Sequence, residues 1–308
     1  MDQFSSHPLY RRHNIDSAMS SLWEFYKKKF FSLFLISLVM TLMIQYVSTF
    51  VNLKEIQSVT DPIIRFEMLK EYIVPVIIIL LINLLSLTIL HYYIIYGPLN
   101  SQDNIYVTLL KSLNYFIPYL IIIVLLAFAG SIVIVLGILA LVIGVFFSIL
   151  YIMTLFLFIL PVMMVEGANI ASTISRTITL AHKNFWSNIG WVAVFLIILI
   201  VISVIFSGII ILPLTGNFVK TIINPEDASA LVDMTNNPMF IFLSAIVSAI
   251  TLPLLPIFAS ILYFNGKAGE EQRKTVTPVN RDNEKVRVED LYAKPYTDDH
   301  PENPENKG

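Results

Sequence analysis

Residues 116–165 read "FIPYLIIIVLLAFAGSIVIVLGILALVIGVFFSILYIMTLFLFILPVMMV", 50 positions without one charged side chain. As one helix at about 1.5 Å per residue the run would be about 75 Å long, whereas about 20 residues suffice to cross the hydrocarbon core of a bilayer. It is too long for a single crossing, so it is read as two antiparallel spans joined by a tight apolar turn. Gly130, Gly137 and Gly144 lie seven apart, and the turn is expected near Gly137. The same glycines also permit close approach of neighbouring helices, as small residues do in membranes. The two readings are compatible.

Working outward, spans are expected at 30–52, 72–97, 116–136, 141–164, 187–212 and 239–264, and no Asp, Glu, Lys or Arg falls inside any of them. The first begins after Lys27, Lys28 and Lys29, and it is too long and too aromatic for a cleaved signal peptide with a small-residue exit site. Pro253 and Pro256 are expected to kink the sixth. The chain of 308 residues is 56% hydrophobic and 14% charged, against about a quarter charged in soluble domains. Its net charge of -2 provides no global basic field for nucleic acid. The lack of cysteine excludes disulfide frameworks and thiolate metal sites.

Basic residues set the expected orientation. With six spans, one side receives the N-terminal segment, the loops at 98–115 and 165–186 and the C-terminal tail, which hold 16 of the 20 Lys and Arg. The other side has Lys54, Arg65, Lys70 and Lys220 among Glu55, Asp61, Glu67, Glu71, Glu226, Asp227 and Asp233. The positive-inside bias places both termini in the cytoplasm.

Three mixed segments precede pairs of spans. In residues 171–185, Ala171, Ile174, Ile178, Ala181 and Phe185 share one helical face, with Ser175, Arg176, Thr179, His182 and Lys183 opposite and Asn169 placed as N-cap. This pattern predicts an amphipathic helix lying in the cytoplasmic interface. Residues 15–29 repeat the plan, with Ile15, Met19, Leu22 and Tyr26 as the apolar stripe. At an offset of 155, Lys28, Phe30, Phe31 and Ser32 match Lys183, Phe185, Trp186 and Ser187. A weaker copy covers 104–117, with Tyr106, Leu109, Leu110, Leu113 and Phe116 as the stripe and Asn104 as cap. The chain therefore parses as three parallel units of interfacial helix plus transmembrane hairpin, starting near 15, 104 and 170.

The segment "LPVMMVEGANIASTISRTITLAHKNFWSNIGWVAVF", with "LWEFYKKKFFSLF" near the start and "ASILYFNGKAGEE" after the last span, resembles the bacterial membrane domain also found fused to glycerophosphoryl diester phosphodiesterases, and related six-span proteins. The resemblance covers most of residues 15–270. In that group the fourth span is followed by Pro, a short apolar stretch, Glu, a small residue and a Ser/Arg helix ending in Asn-Phe-Trp; Pro161, Glu166, Arg176, Asn184, Phe185 and Trp186 occupy those places. No stretch outside the spans is long enough for the (β/α)8 hydrolase barrel. What the resemblance implies is a bacterial membrane module without its hydrolase.

Candidate chemistry is sparse. Of His7, His13, His91, His182 and His300, only His91 and His182 are expected near ordered membrane structure, too few for a convincing metal site. His91, close to Tyr92, Tyr93 and Tyr96, reads either as a lipid-headgroup or quinone contact or as part of an interfacial aromatic belt. The polar residues inside spans, among them Gln45, Asn83, Ser203, Ser248 and Thr251, read as interhelical hydrogen-bond partners or as the lining of a path for an uncharged substrate. Glu166 and Arg176 read as a structural pair fixing the interfacial helix, whereas Arg176, Lys183 and Trp186, with Lys28, read as a contact for anionic lipid headgroups.

The tail from 266 to 308 holds eight Lys and Arg against ten Asp and Glu and is expected to be disordered, with "VRVEDLYAKPY" at 286–296 as its only hydrophobic island. The expectation is an all-α polytopic protein of the bacterial inner membrane. A flexible N-terminal arm (1–14) precedes a six-span domain (15–265), and a cytoplasmic tail follows. No cofactor, metal or catalytic residue is expected. The expected function is a non-enzymatic membrane-organising or accessory module that engages membrane lipids or a membrane-protein partner; the alternative is a transporter or flippase for a lipidic or apolar substrate.

Overall fold

The computed structural model describes residues 3–51, 61–100, 105–167, 169–212 and 237–276, with positions 215, 216, 219 and 223 between the last two. Among these the chain is all-helical, without a strand. A 3-10 turn at Gln3–Ser6 is followed by α1 (Ile15–Ser48), α2 (Pro62–Glu71), α3 (Ile73–Tyr96), α4 (Ile105–Leu139), α5 (Leu141–Glu166), α6 (Ile170–Lys183), α7 (Phe185–Ile211), α8 (Pro238–Thr251) and α9 (Leu254–Val276). Six helical segments are long and apolar enough to cross a membrane, α8 and α9 together forming the sixth. The number and order of spans agree with the sequence pattern, as expected of a multi-pass membrane protein. Asn104, Lys54, Lys220, the acidic residues 226–233 and the tail from 277 lie outside the described residues.

The chain divides into two compact units, Met1–Ala268 and Gly269–Gly308. In the first, the spans α1, α3, α4, α5, α7 and α8 each pack on the next, and α8 packs back on α1. The first turns of α9 are buried all round: Ile257, Phe258, Ala259, Ser260, Ile261, Tyr263 and Phe264 have no exposed surface. Phe258 stacks on Phe195 of α7 with ring centroids 4.0 Å apart. A helix apolar on every side belongs in a core. In the second unit the described residues are the last turns of α9, so helix continues past the expected boundary at 265.

The turn between α4 and α5 falls at Ala140, whose N–H donates to the carbonyl of Gly137 at 3.0 Å. A Cβ on Gly137 would sit 2.8 Å from the carbonyl oxygen of Gly144, and one on Gly144 would collide with the carbonyl of Gly137. Both glycine readings hold, because the turn brings the two backbones into contact. Gly144→Val should lower stability by about 1–3 kcal/mol through overpacking; a detergent melting curve checks it, and an unchanged Tm would mean that the hairpin can open without cost.

Two of the three segments expected as separate interfacial helices are instead continuous with their spans. Residues 15–29 run unbroken into α1, and residues 105–117 into α4. Only α6 is separate. At the offset of 155 the break at Asn184 (φ -133, ψ 54) aligns with Lys29. Lys propagates a helix, whereas Asn competes for its own backbone hydrogen bonds and favours helix ends. In α4 the interruption is Pro118, which the helix absorbs.

The N-terminal arm is not a flexible appendage. Phe4, His7 and Leu9 are buried, and the Lys267 ammonium lies over the Phe4 ring at 5.7 Å. The reason lies at the end of α3. The carbonyl of Ile94 would ordinarily accept from the N–H four residues on, but that residue is Pro98, which has none. His7 Nε2–H takes the orphaned carbonyl at 3.0 Å. Leu9 N–H donates to Nδ1 of the same ring at 3.1 Å, which fixes the neutral tautomer. Burial pushes the His7 pKa from 6.5 down to about 4, the backbone hydrogen bond opposing it. His13 donates its N–H to Asn265 Oδ1 at 2.9 Å, closing the arm against α9.

The sixth span breaks at Pro253, between Thr251 and Leu254, whereas Pro256 stands within the first turn of α9. The interruption leaves the Ile250 carbonyl without its helical donor, and Tyr26 of α1 supplies its hydroxyl at 2.8 Å.

Candidate anionic-ligand sites

All five sequence-predicted site residues lie at the end of the bundle where α1 begins, but they divide into three groups. The first is the Glu166–Arg176 pair. Helix α5 ends at Glu166, and Gly167 follows with φ 116, in the left-handed region that favours glycine. Asn169 then caps α6, its side chain accepting from Ala171 N at 3.0 Å. The turn aims α6 back along α5, so that Arg176 Nε donates to Glu166 Oε2 at 2.7 Å. Tyr263 of α9 donates its hydroxyl to Glu166 Oε1 at 2.9 Å. Both carboxylate oxygens are thus engaged by neighbouring helices. A cleft of about 320 Å³ beside the pair is lined by Ser172, Ser175 and Thr179 together with both Glu166 and Arg176. The two charges there are already paired with each other. This geometry is that of the structural pair, and Tyr263 is the member that the sequence did not reveal.

The second group lies along α6. Its buried face is Thr173, Thr177, Leu180 and Ala181, rotated from the expected apolar stripe, with which it shares Ala181 and from which it leaves Ile178 44% exposed. The helix thus presents three strips: one on the bundle, an exposed apolar strip with Ile178, and a polar strip with Ser175, Thr179 and Lys183. Arg176 and Lys183 stand two turns apart, about 10.5 Å along the axis, and Trp186 belongs to α7. They do not converge on one point. Trp186 is 72% exposed and meets Phe147 and Phe185 edge-on at 6.1 and 5.2 Å. Asn188 donates to the last carbonyls of α6, Leu180 and Ala181, at 3.1 Å each, and so sets the corner between α6 and α7.

The third group surrounds Lys28. The docked arm and the first turns of α1 enclose a cleft of about 410 Å³ lined by Arg11, Ser21, Glu24, Lys28 and Lys29, with Pro8, Leu9, Phe25 and Pro98 as its apolar walls. Arg11 is held in place by a hydrogen bond from Nη2 to Ser21 Oγ at 2.5 Å. Three cations face one carboxylate. On the opposite face of the same turns of α1, Trp23 and Phe30 are exposed, each meeting Tyr26 edge-on. Lys28 was visible as a site residue in the sequence; Lys29 is its neighbour on α1, and Arg11 joins them only because His7 folds the arm back. His91, by contrast, is buried and spends Nδ1 on the Leu87 carbonyl at 2.8 Å.

Comparison of the chain with protein-family models, curated proteins and solved structures finds no match. The resemblance therefore rests on the three quoted segments alone, at residues 22–34, 160–195 and 259–271.

Proposed function

We propose that this protein is a non-enzymatic module of the bacterial inner membrane that engages anionic lipid headgroups at the cytoplasmic leaflet, and through them organises lipid or a partner membrane protein. The observation that carries the reading is the cleft of Arg11, Lys28 and Lys29 around Ser21. A phosphate entering it meets three cations and one hydroxyl against the single carboxylate of Glu24, a net positive lining suited to an anionic headgroup. Lys183 and Trp186 add a second, more diffuse contact at the same level, whereas Arg176 is assigned to the structural pair with Glu166. The three-unit parse belongs to this proposal, with α6 as the interfacial helix of the third unit and the other two leaders fused to their spans. Retention of phosphatidylglycerol against phosphatidylcholine, with and without the three cations, tests the function.

Orientation is tested separately. Reporter fusions at Asn224 should behave as extracytoplasmic and those at Asn280 as cytoplasmic, because 16 of 20 basic residues fall on the side of the termini. A cytoplasmic signal at Asn224 would contradict the topology and move the cleft to the other leaflet.

The alternative of a transporter or flippase for a lipidic substrate draws on a different feature, a cavity of about 390 Å³ among five of the spans.

A further inference from the structure

That cavity lies away from the cationic cleft, and what it can hold follows from its lining. Thr41 and Gln45 of α1, Asn83 of α3, Ser203 of α7, and Ser248 and Thr251 of α8 all border it; the other lining residues are aliphatic or aromatic. Asn83 is ten residues into α3, about 15 Å from its start, which is membrane depth in a six-span protein. An amide at that depth is costly unless its hydrogen-bonding capacity is met.

The structure meets only part of it. Asn83 Nδ2 donates to the Ile79 carbonyl of its own helix at 2.9 Å. Thr251 likewise bonds back to Val247 at 3.0 Å, and Thr41 reaches the Ala245 carbonyl at 3.1 Å. Among the described residues no hydrogen bond joins any two of these side chains to each other. Thr41 apart, whose bond crosses from α1 to α8, they converge on a common space without pairing across it. Ser203 is exposed, so the cavity is open on the α7 side. Its floor is the break in the sixth span, where Leu252 and Leu255 stand.

No charged residue borders the space. A phosphate or ammonium head would be left without a counter-charge at this depth, whereas a hydroxyl can both donate to and accept from amides and hydroxyls. We propose that this cavity is a binding site for a neutral long-chain lipid with a hydroxyl-bearing head, of the monoacylglycerol class. The head is held between Gln45 and Asn83, and the chain leaves past Ser203. The inference is independent of the anionic-lipid reading and holds whether or not the protein moves its ligand.

Photolabelling of the full-length protein in vesicles tests it, with a diazirine-bearing monoacylglycerol and a diazirine-bearing phosphatidylglycerol as the two probes. The neutral probe should label segments near Gln45, Asn83 or Ser248, and unlabelled monoacylglycerol should compete the label away. Gln45→Leu with Asn83→Leu should reduce labelling roughly tenfold, the loss of about one hydrogen bond per residue. Ser248→Phe, which fills the space from the opposite wall, should do the same if the double variant fails to insert. Absence of label in the cavity, which is the result for a cavity that holds only water, would overturn the proposal. So would equal labelling there by the anionic probe, or labelling that survives competition.

Discussion

Lowering the pH from 7 to 4.5 should release residues 3–13 from the bundle while the six spans stay folded. His7 is neutral in the docked arm, with a pKa near 4 against 6.5 for the free side chain, and burial also depresses His13. A depressed pKa means that the undocked arm binds more protons. Docking is therefore fully stabilised above about pH 6.5 and weakens as the pH falls toward 4, by roughly 2–3 kcal/mol for His7. Protonation of Nδ1 would also cancel the bond from Leu9 N–H. Hydrogen exchange at Leu9 is the measurement. Protection should fall steeply between pH 6.5 and 4.5 in the wild type and much less in His7→Gln, which offers a donor and an acceptor but cannot be protonated. Equal protection at both pH values in the wild type would contradict the tautomer and its burial. Because Arg11 and Leu9 wall the cationic cleft, release of the arm should weaken anion binding over the same range.

The second large effect concerns Glu166. Its two oxygens receive Arg176 Nε and the Tyr263 hydroxyl, and the Glu166 and Arg176 side chains are about a quarter exposed. Glu166→Ala leaves both donors without their acceptor and should cost about 2–4 kcal/mol, seen as a lower Tm in detergent. Arg176→Lys should cost much of what Arg176→Ala costs, because a lysine ammonium cannot reproduce the directed Nε–H bond from the same position. None of these variants should change the preference for anionic lipid. A loss of that preference in Arg176→Ala, with Tm intact, would return Arg176 to the headgroup contact.

The spans were legible in the sequence because charge is absent from windows long enough to cross a bilayer, and that signal is local. The turn at Ala140 and the break after Thr251 were legible for the same reason, as glycine and proline act on their own backbone. What failed was non-local. The arm reads as polar from Arg11, Arg12, His7 and His13, and nothing within it reveals that Pro98, far along the chain, leaves a carbonyl for His7. Continuity of α1 was missed because the stripe from Ile15 to Tyr26 suggests a separate amphipathic helix, whereas Lys29 stands where α6 has the breaking Asn184. In the site, the approach of Glu166 and Arg176 followed from a glycine turn and a ten-residue spacing, whereas Tyr263 and Arg11 arrive from other helices or from the arm. Gln45, Asn83 and Ser248 stood out as polar; their convergence is a property of the packed ring.

The central claim is that a built cationic cleft, rather than general basicity, selects anionic lipid. Native mass spectrometry of the purified protein with equimolar phosphatidylglycerol and phosphatidylcholine tests it most directly, comparing the wild type with Arg11→Ala/Lys28→Ala/Lys29→Ala and with a control triple, Arg12→Ala/Lys27→Ala/Lys111→Ala. At about 1.5 kcal/mol for each charge-assisted bond to a fixed phosphate, the cleft variant should lose roughly 100-fold or more in phosphatidylglycerol retention, and the control, whose cations do not share a site, far less. Equal losses in the two triples, or none in either, would contradict it.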